Sequence, residues 1–300
     1  MLTILLTGAT GFLGSNLLEA FHKKKYKIII LKRSNSNTHR IDYLMENVSS
    51  YNLDITPIES VFKDNDIDLV VHTACNYGRG GESFTQIIES NFTLGINLLE
   101  NAIKYGAPTF INTDTFLKKR VSDYSLSKRQ FSEWLEAKSE DIQIVNLKLE
   151  HMYGEKDDAT KLVPWILSQF KQKKDEIKLT YGEQKRDFIY IQDVISAYLV
   201  VIDNIANLNS FNEFHVGNGS LITVKRFIEK LKESYEINCE KSSTKLNFGA
   251  LPYRDNEDMT VNLDNKPLKD LGWLAEMDLD EGLKKVVKAF NKNDTKKTGV

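Results

Sequence analysis

Through the first half of the chain, short runs of consecutive apolar residues alternate with stretches whose apolar residues recur every three or four positions. Leu2 to Leu6 is an uninterrupted apolar run, the mark of a strand buried on both faces. From Ser15 to Lys24 the spacing changes. Leu17, Leu18 and Phe21 fall on one side and Lys23 and Lys24 on the other, which predicts a helix. Ile28–Leu31 and Leu69–His72 predict two further strands, followed by a long helix from about Ser83 to Tyr105. Thr109–Asn112 and Ile144–Leu149 add two more strands, separated by a helix from about Ser125 to Lys138. Repeated strand–helix alternation predicts an α/β fold, a Rossmann-type doubly wound parallel sheet with helices on both faces.

The pattern changes near Glu150. Helical segments at Leu162–Phe170 and Val224–Tyr235 are mixed with short runs at Phe188–Ile191 and Glu213–Val216. Residues 1–150 are therefore expected to form the sheet domain and residues 151–300 a smaller C-terminal lobe, with segments near 187–216 returning to the first sheet. There is no internal repeat and no low-complexity linker. The polar stretch Asn291–Val300 is expected to fray.

Composition narrows the classes. Lys+Arg number 40 and Asp+Glu 42, so the formal net charge is -2 and no basic excess points to nucleic acid or an anionic membrane. Two cysteines, Cys75 and Cys239, exclude a disulfide scaffold and a four-cysteine zinc site. The 5 histidines show no ligand spacing, so no metal is expected. No apolar run reaches the roughly 20 residues of a membrane helix. The N-terminus lacks a basic region and cleavage site. A soluble, cytoplasmic protein is expected.

Three motifs carry chemistry. Thr7-Gly8-Ala9-Thr10-Gly11-Phe12-Leu13-Gly14 follows a predicted strand and opens a predicted helix. Glycines there permit a tight turn and let backbone N–H groups approach a pyrophosphate at the positive end of the helix. Gly8, Thr10, Gly11, Phe12, Leu13 and Gly14 are the candidate dinucleotide contacts, in a G-x-x-G-x-x-G spacing. The second strand ends Leu31-Lys32-Arg33-Ser34, without the acid that usually binds a ribose 2′-hydroxyl. Arg33 and Ser34 suit a 2′-phosphate, which favours NADPH over NAD; a solvated strand-end charge is the competing reading. Asp54, after a short run at Tyr51–Leu53, is expected near the adenine.

The third motif is Tyr124-Ser125-Leu126-Ser127-Lys128. On a helix, Tyr124 and Lys128 share one face. An ammonium near the phenol is expected to lower its pKa from about 10 and form an acid/base pair for carbonyl–alcohol exchange. The spacing recurs at Tyr181–Lys185, but Gly182 makes a helix there unfavourable. Thr113, upstream of Tyr124, offers a hydroxyl to the substrate oxygen.

Together with His72-Thr73-Ala74, Asn91, Leu147 to Gly154, Arg186 to Asp193, Tyr253 to Glu257 and Leu271-Gly272-Trp273, these motifs resemble the extended short-chain dehydrogenase/reductases acting on sugar nucleotides. Phe110 to Phe116, Glu150-His151 and Arg254 to Glu257 are similar to CDP-abequose and CDP-paratose synthases within that family. The resemblance implies that residues 1–150 bind NADP, with Thr73, Ala74, Tyr124 and Lys128 also on the cofactor, and that residues 151–300 bind substrate. It implies a nucleotide-diphosphate sugar with Arg186 and Arg254 on its diphosphate, and a homodimer through the helices near Ser83–Tyr105 and Ser125–Lys138. For each arginine a surface ion pair is the alternative. Glu150 and His151 are either substrate contacts or a satisfied pair at the lobe boundary.

Two departures from the family matter. Dehydratases carry Asp-Glu after the catalytic threonine; here Thr115 replaces the Glu, and Asp114 alone reads as structural. Only ten residues lie between Thr113 and Tyr124, a short catalytic loop. The expectation is an NADPH-dependent 4-ketoreductase of a nucleotide-linked deoxysugar, with Thr113, Tyr124 and Lys128 catalytic, in surface-polysaccharide (O-antigen) sugar synthesis. A redox-neutral C4 epimerase holding NAD, and a non-catalytic dinucleotide sensor, are the alternatives.

Overall fold

In the computed structural model, which describes residues 1–295, the first apolar run is strand β1 (Thr3–Thr7), buried at every residue. The chain continues through α1 (Phe12–Lys23), β2 (Lys27–Lys32), a 3-10 turn and β3 (Ser49–Asn52). Then come α2 (Ile58–Lys63), β4 (Leu69–His72), α3 (Phe84–Ile88), α4 (Leu94–Lys104), β5 (Thr109–Thr115), α5 (Asp123–Ala137) and β6 (Gln143–Leu149). Short strand β7 (His151–Tyr153) is followed by α6 (Leu162–Lys171), β8 (Glu176–Leu179), β9 (Lys185–Tyr190) and α7 (Ile191–Asn204). The last elements are β10 (Phe211–Val216), β11 (Leu221–Thr223), α8 (Val224–Asn238), β12 (Lys245–Phe248), α9 (Lys266–Asp270) and α10 (Leu279–Thr295). Asn291–Thr295 of the expected frayed tail thus continue a helix; residues 296–300 lie outside the described residues.

The chain divides into two compact units. Met1–Leu149 and Tyr198–Val216 form one; Glu150–Ala197 and the chain from Gly217 onward form the other. The first holds a 7-stranded sheet in the order β10-β6-β5-β4-β1-β2-β3, every pair parallel. Its central strands are apolar on both faces because both are covered. Leu5, Ile29, Val70, Phe110 and Ile144 pack one face against Leu98 and Leu99 of α4 and Phe131 and Leu135 of α5. The strand order reverses between β1 and β4, the place where such sheets leave a crevice for a ligand.

In the second unit, β7, β9 and β11 form a 3-stranded sheet, and β8 pairs with β12. The expected return of segments near 187–216 to the large sheet is met by the later part of that stretch, Tyr198–Val216, which belongs to the first unit. Only Phe211–Val216 joins that sheet as a strand. Asp187 to Tyr190 stay in the small sheet, where the Asp187 carboxylate fixes the turn before β11 through the N–H groups of Asn218 and Gly219, 2.9 and 2.6 Å away.

The long helix expected over Ser83–Tyr105 is also modified. Ser83 and Gln86 form a capping box at the start of α3. Between α3 and α4, Glu89–Thr93 form a π-helical turn. The wider turn presents Asn91, fully buried, toward Asn76 and Ser127, which accounts for the break in register.

Candidate active site

The sheet's reversal point is built from the ends of β1 and β4. Thr7 Oγ1 accepts the N–H groups of Thr73 and Ala74 at 3.2 and 3.3 Å and lies 2.8 Å from His72 Nδ1. Thr73 Oγ1 donates to the Thr7 carbonyl at 2.7 Å. Burial holds the His72 pKa well below its ordinary value, with the Lys128 charge acting in the same direction, so the ring is neutral. Gly8 adopts φ +71°, and a Cβ there would fall 2.7 Å from Ala74 N and Thr73 Oγ1. At Gly14 a Cβ would fall 2.1 Å from the Gly8 carbonyl oxygen. The turn therefore admits no side chain at either place.

Gly11 caps α1 without any side-chain hydrogen bond, and the first turn carries no acid. Phe12 and Leu13 bury their side chains, leaving the N–H groups at the helix N-terminus for an anion. Thr10 contributes backbone, its carbonyl accepting Arg40 Nη1 at 3.2 Å. These residues fit the pyrophosphate of a dinucleotide.

At the end of β2 the structure brings Arg33, Ser34 and Asp54 together. Ser34 N–H donates to Asp54 Oδ2 at 2.7 Å, and Asn52 Nδ2 donates to Ser34 Oγ at 2.8 Å. The Ser34 hydrogen bonds, with smaller help from the Arg33 and Lys32 charges, hold the exposed Asp54 carboxyl below its usual range. Arg33 reaches Ser90 Oγ at 3.0 Å.

The third group stands on β5 and α5. A Ser122–Ser125 capping box starts α5, and Tyr124 and Lys128 lie one turn apart on it. Lys128 is 2% exposed and Tyr124 half-buried. The Tyr124 ring lies against Tyr77, centroids 4.8 Å apart, and the Arg79 guanidinium sits 5.5 Å from the centre of the Tyr77 ring. Asn91 fixes this wall: its amide donates to the Asn76 carbonyl and Ser127 Oγ at 2.8 and 3.1 Å and accepts Asn76 N–H at 2.6 Å.

Strand pleat separates the residues that follow one another on β5. Thr113 Oγ1 lies 2.6 Å from the hydroxyl of Tyr198 on α7. Asp114 is turned into the protein, where it accepts Thr115 N–H at 2.8 Å, Asn146 Nδ2 at 3.2 Å and Arg129 Nη1 at 3.4 Å. The structural reading of Asp114 fits this placement.

Electrostatics overturn one expectation. Burial pushes the Tyr124 phenol well above its ordinary pKa, reinforced by Cys75 and Asp114, whereas the Thr115 hydroxyl and the Arg79 charge only moderate the rise. Burial lowers the Lys128 ammonium, with Asp114 and Cys75 opposing. Desolvation, the largest of these causes, thus sets a direction opposite to the one expected from the lysine. The phenol remains protonated at neutral pH and can donate to a developing alkoxide.

Within the second unit, His151 Nδ1 lies 2.9 Å from Glu150 Oε2. The Glu150 side chain is fully buried, and its Oε1 has no partner among the described residues. Arg186 is buried and pairs with Glu257 Oε1, while the exposed Arg254 donates to Glu257 Oε2 at 3.0 Å. The two arginines are therefore brought together on one carboxylate. For Arg186 a surface pair is excluded; Arg254 remains at the surface.

Sequence reasoning did not find Arg40, Cys75, Tyr77, Arg79 or Tyr198. Cys75 and Tyr77 follow His72-Thr73-Ala74 closely enough to have been noticed. Tyr198 stands 85 residues from Thr113, and no local pattern links them.

Comparison with known proteins agrees in outline. Residues 4–217 match the family model described as NAD dependent epimerase/dehydratase family. The chain is 34% identical to the CDP-abequose synthase of Salmonella typhimurium, covering 95% of this chain and 97% of that one. It is 36% identical to the CDP-abequose synthase of Salmonella muenchen, covering 95% and 96% respectively. Among solved structures, UDP-glucuronic acid 4-epimerase from Bacillus cereus, in complex with UDP-glucuronic acid and NAD, superimposes with a TM-score of 0.82. That match, at 21% identity, covers 97% of this chain and 100% of that one and shows the shared fold.

Proposed function

The chain belongs to the NAD-dependent epimerase/dehydratase family, and on that footing we propose that it is an NADPH-dependent reductase of the 4-keto group of a nucleotide-linked deoxyhexose, like a CDP-abequose or CDP-paratose synthase. It is an NAD(P)-dependent nucleotide-sugar enzyme. The observation that carries the finer reading is the set of side chains around Tyr124. Asp114, whose charge reaches the phenol, is already locked into a buried network, and the Thr115 hydroxyl bonds the phenol. Among the described residues a hydroxyl and not a free carboxylate therefore serves it. Such a set serves proton delivery to an oxygen and not abstraction of a sugar proton, the step dehydration requires.

When bound, the nicotinamide supplies hydride to the carbonyl carbon. Tyr124 gives its phenolic proton to the oxygen. Lys128 holds the cofactor ribose and stabilises the phenolate left behind. Thr113 orients the carbonyl oxygen. Gly8, Thr10, Gly11, Phe12, Leu13 and Gly14 receive the pyrophosphate, and Thr73, Ala74 and Asp54 line the rest of the dinucleotide. Arg33 and Ser34 supply a cation and a hydroxyl for the 2′-phosphate, which supports NADPH. Glu150, His151, Arg186 and Arg254 are assigned to the substrate, the arginines to its diphosphate. A homodimer is supported by the large apolar side chains exposed on α3 and α5.

The test is NADPH oxidation with 4-keto-deoxyhexoses carried on CDP, UDP, GDP and dTDP, with the C4 configuration of the product read by NMR. Stoichiometric NADPH consumption and a 4-hydroxy product are expected, CDP being preferred. With 4-hydroxy hexoses carried on the same nucleotides and NAD supplied, interconversion of the two C4 epimers without net cofactor consumption would establish the C4 epimerase. No turnover of either kind removes the reductase reading.

A further inference from the structure

The hydroxyl that orients the substrate oxygen is itself held by another hydroxyl, and the direction of that bond decides what it can do. Thr113 Oγ1 and Tyr198 Oη are 2.6 Å apart. Tyr198 is 0% exposed, on the buried side of α7, while Thr113 is half-buried at the end of β5. Each hydroxyl has one proton, and only one of the two protons lies between the oxygens. If Thr113 donated, the phenolic proton of Tyr198 would be left in the interior with no acceptor among the described residues. A buried donor without a partner is costly. If Tyr198 donates, its proton is satisfied and that of Thr113 is free to turn toward the half-exposed side. Burial also keeps the Tyr198 phenol protonated, with its pKa pushed far above the ordinary tyrosine value and only partly opposed by Thr113.

We propose that Tyr198 is a positioning residue that donates to Thr113 Oγ1 and thereby aims the Thr113 proton at the substrate's carbonyl oxygen. The proposal rests on the reductase reading for its catalytic consequence. Its structural part stands without it.

Thr113→Val, Tyr198→Phe and the double variant form the test. The assigned direction requires an asymmetry in stability. Thr113→Val orphans the phenolic proton and should lower the melting temperature by about 3–6 °C. Tyr198→Phe leaves only a threonine hydroxyl within reach of water and should cost less than half of that. Adding Tyr198→Phe to Thr113→Val removes the orphan and should raise the melting temperature above that of the single Thr113 variant. A double variant that melts lower still, or a Tyr198→Phe more damaging than Thr113→Val, overturns the assignment. In turnover, Tyr198→Phe should lower kcat roughly 10-fold or more with KM for the keto sugar unchanged, and should add nothing to Thr113→Val. A wild-type kcat in Tyr198→Phe overturns the positioning role. If the wild-type protein reduces none of the keto sugars, the reductase reading fails, and the order of melting temperatures still decides which hydroxyl donates.

Discussion

Tyr124 carries its own proton into neutral pH because its surroundings penalise the phenolate more than Arg79 and Thr115 favour it. The proposed reduction would consume the protonated form, so a raised pKa would extend the active range upward. The phenol itself should impose no falling limb between pH 6 and about 10, the ordinary tyrosine value. Burial lowers the Lys128 ammonium, so a limb within that range belongs to Tyr124 only if Lys128→Arg leaves it in place. A falling limb centred near pH 7 in a kcat/KM profile, kept in Lys128→Arg, would show that the site lowers the Tyr124 pKa. Tyr124→Phe keeps the ring against Tyr77 and deletes only the proton. Its single-turnover rate should drop roughly 10²–10⁴-fold while NADPH binding survives; a near-wild-type rate would remove Tyr124 as the acid. Arg33→Ala addresses cofactor choice. It should weaken NADPH far more than NADH in equilibrium titrations, and equal losses would show that Arg33 does not select the 2′-phosphate.

At the scale of elements, β5, β6 and β10 are joined by polar side chains as well as by their ladder. Asn146 on β6 links Asn112, Asp114, Ser132 and Glu213, and Glu213 also takes the ammonium of Lys148. Burial would raise the Glu213 carboxyl, yet hydrogen bonds from His215, Lys148 and Asn146 and the Lys148 charge hold it down at about 2. Its folded pKa lies below the unfolded value of about 4.3, so its contribution is present above that pH and is lost as pH falls toward 2. Glu213→Gln should therefore lower stability at pH 7 by about 2–3 kcal/mol, less than a fully buried pair because 30% of the Glu213 side chain is exposed. The wild-type melting temperature should fall more steeply than the variant's between pH 4.5 and 3. Parallel curves would show that Glu213 is not held down. Of this network only the structural character of Asp114 was legible in the sequence. Glu213 to Val216 announced a strand, but only the pairing of β10 with β6 brings Glu213 beside Asn146 and Lys148. The glycine turn, by contrast, was legible whole, because its chemistry is local: Gly8, Gly11 and Gly14 are all called for by one turn of backbone.

At the scale of the molecule, the parallel sheet and the change of character near Glu150 follow from hydrophobic period. The chain's return to the first unit was also expected, but not where it begins, because α7 runs from one unit into the other without a break in its apolar pattern. The same limit applies to assembly. The helical periods at Ser83–Tyr105 and Ser125–Lys138 place residues on faces but do not say which face remains uncovered. In the structure Phe84 is 67%, Ile88 41% and Trp134 49% exposed. A hollow lined by Phe92, Gln130, Glu133, Trp134 and Ala137 lies on the same helices. Large apolar side chains clustered this way are costly to leave in water, and in the proposed homodimer a second copy of the same face would cover them with a two-fold contact. Trp134 projects from α5, the helix that carries Tyr124 and Lys128, so the contact would brace the catalytic helix from outside. Trp134→Glu should convert a dimer into a chain of 34.4 kDa in sedimentation velocity, with the fold retained because Trp134 is already 49% exposed in the single chain. Turnover should fall through a looser α5, and the melting temperature of the wild type, but not of the variant, should rise with protein concentration. A wild-type protein that sediments as a single chain at micromolar concentration would show that these residues serve some other purpose.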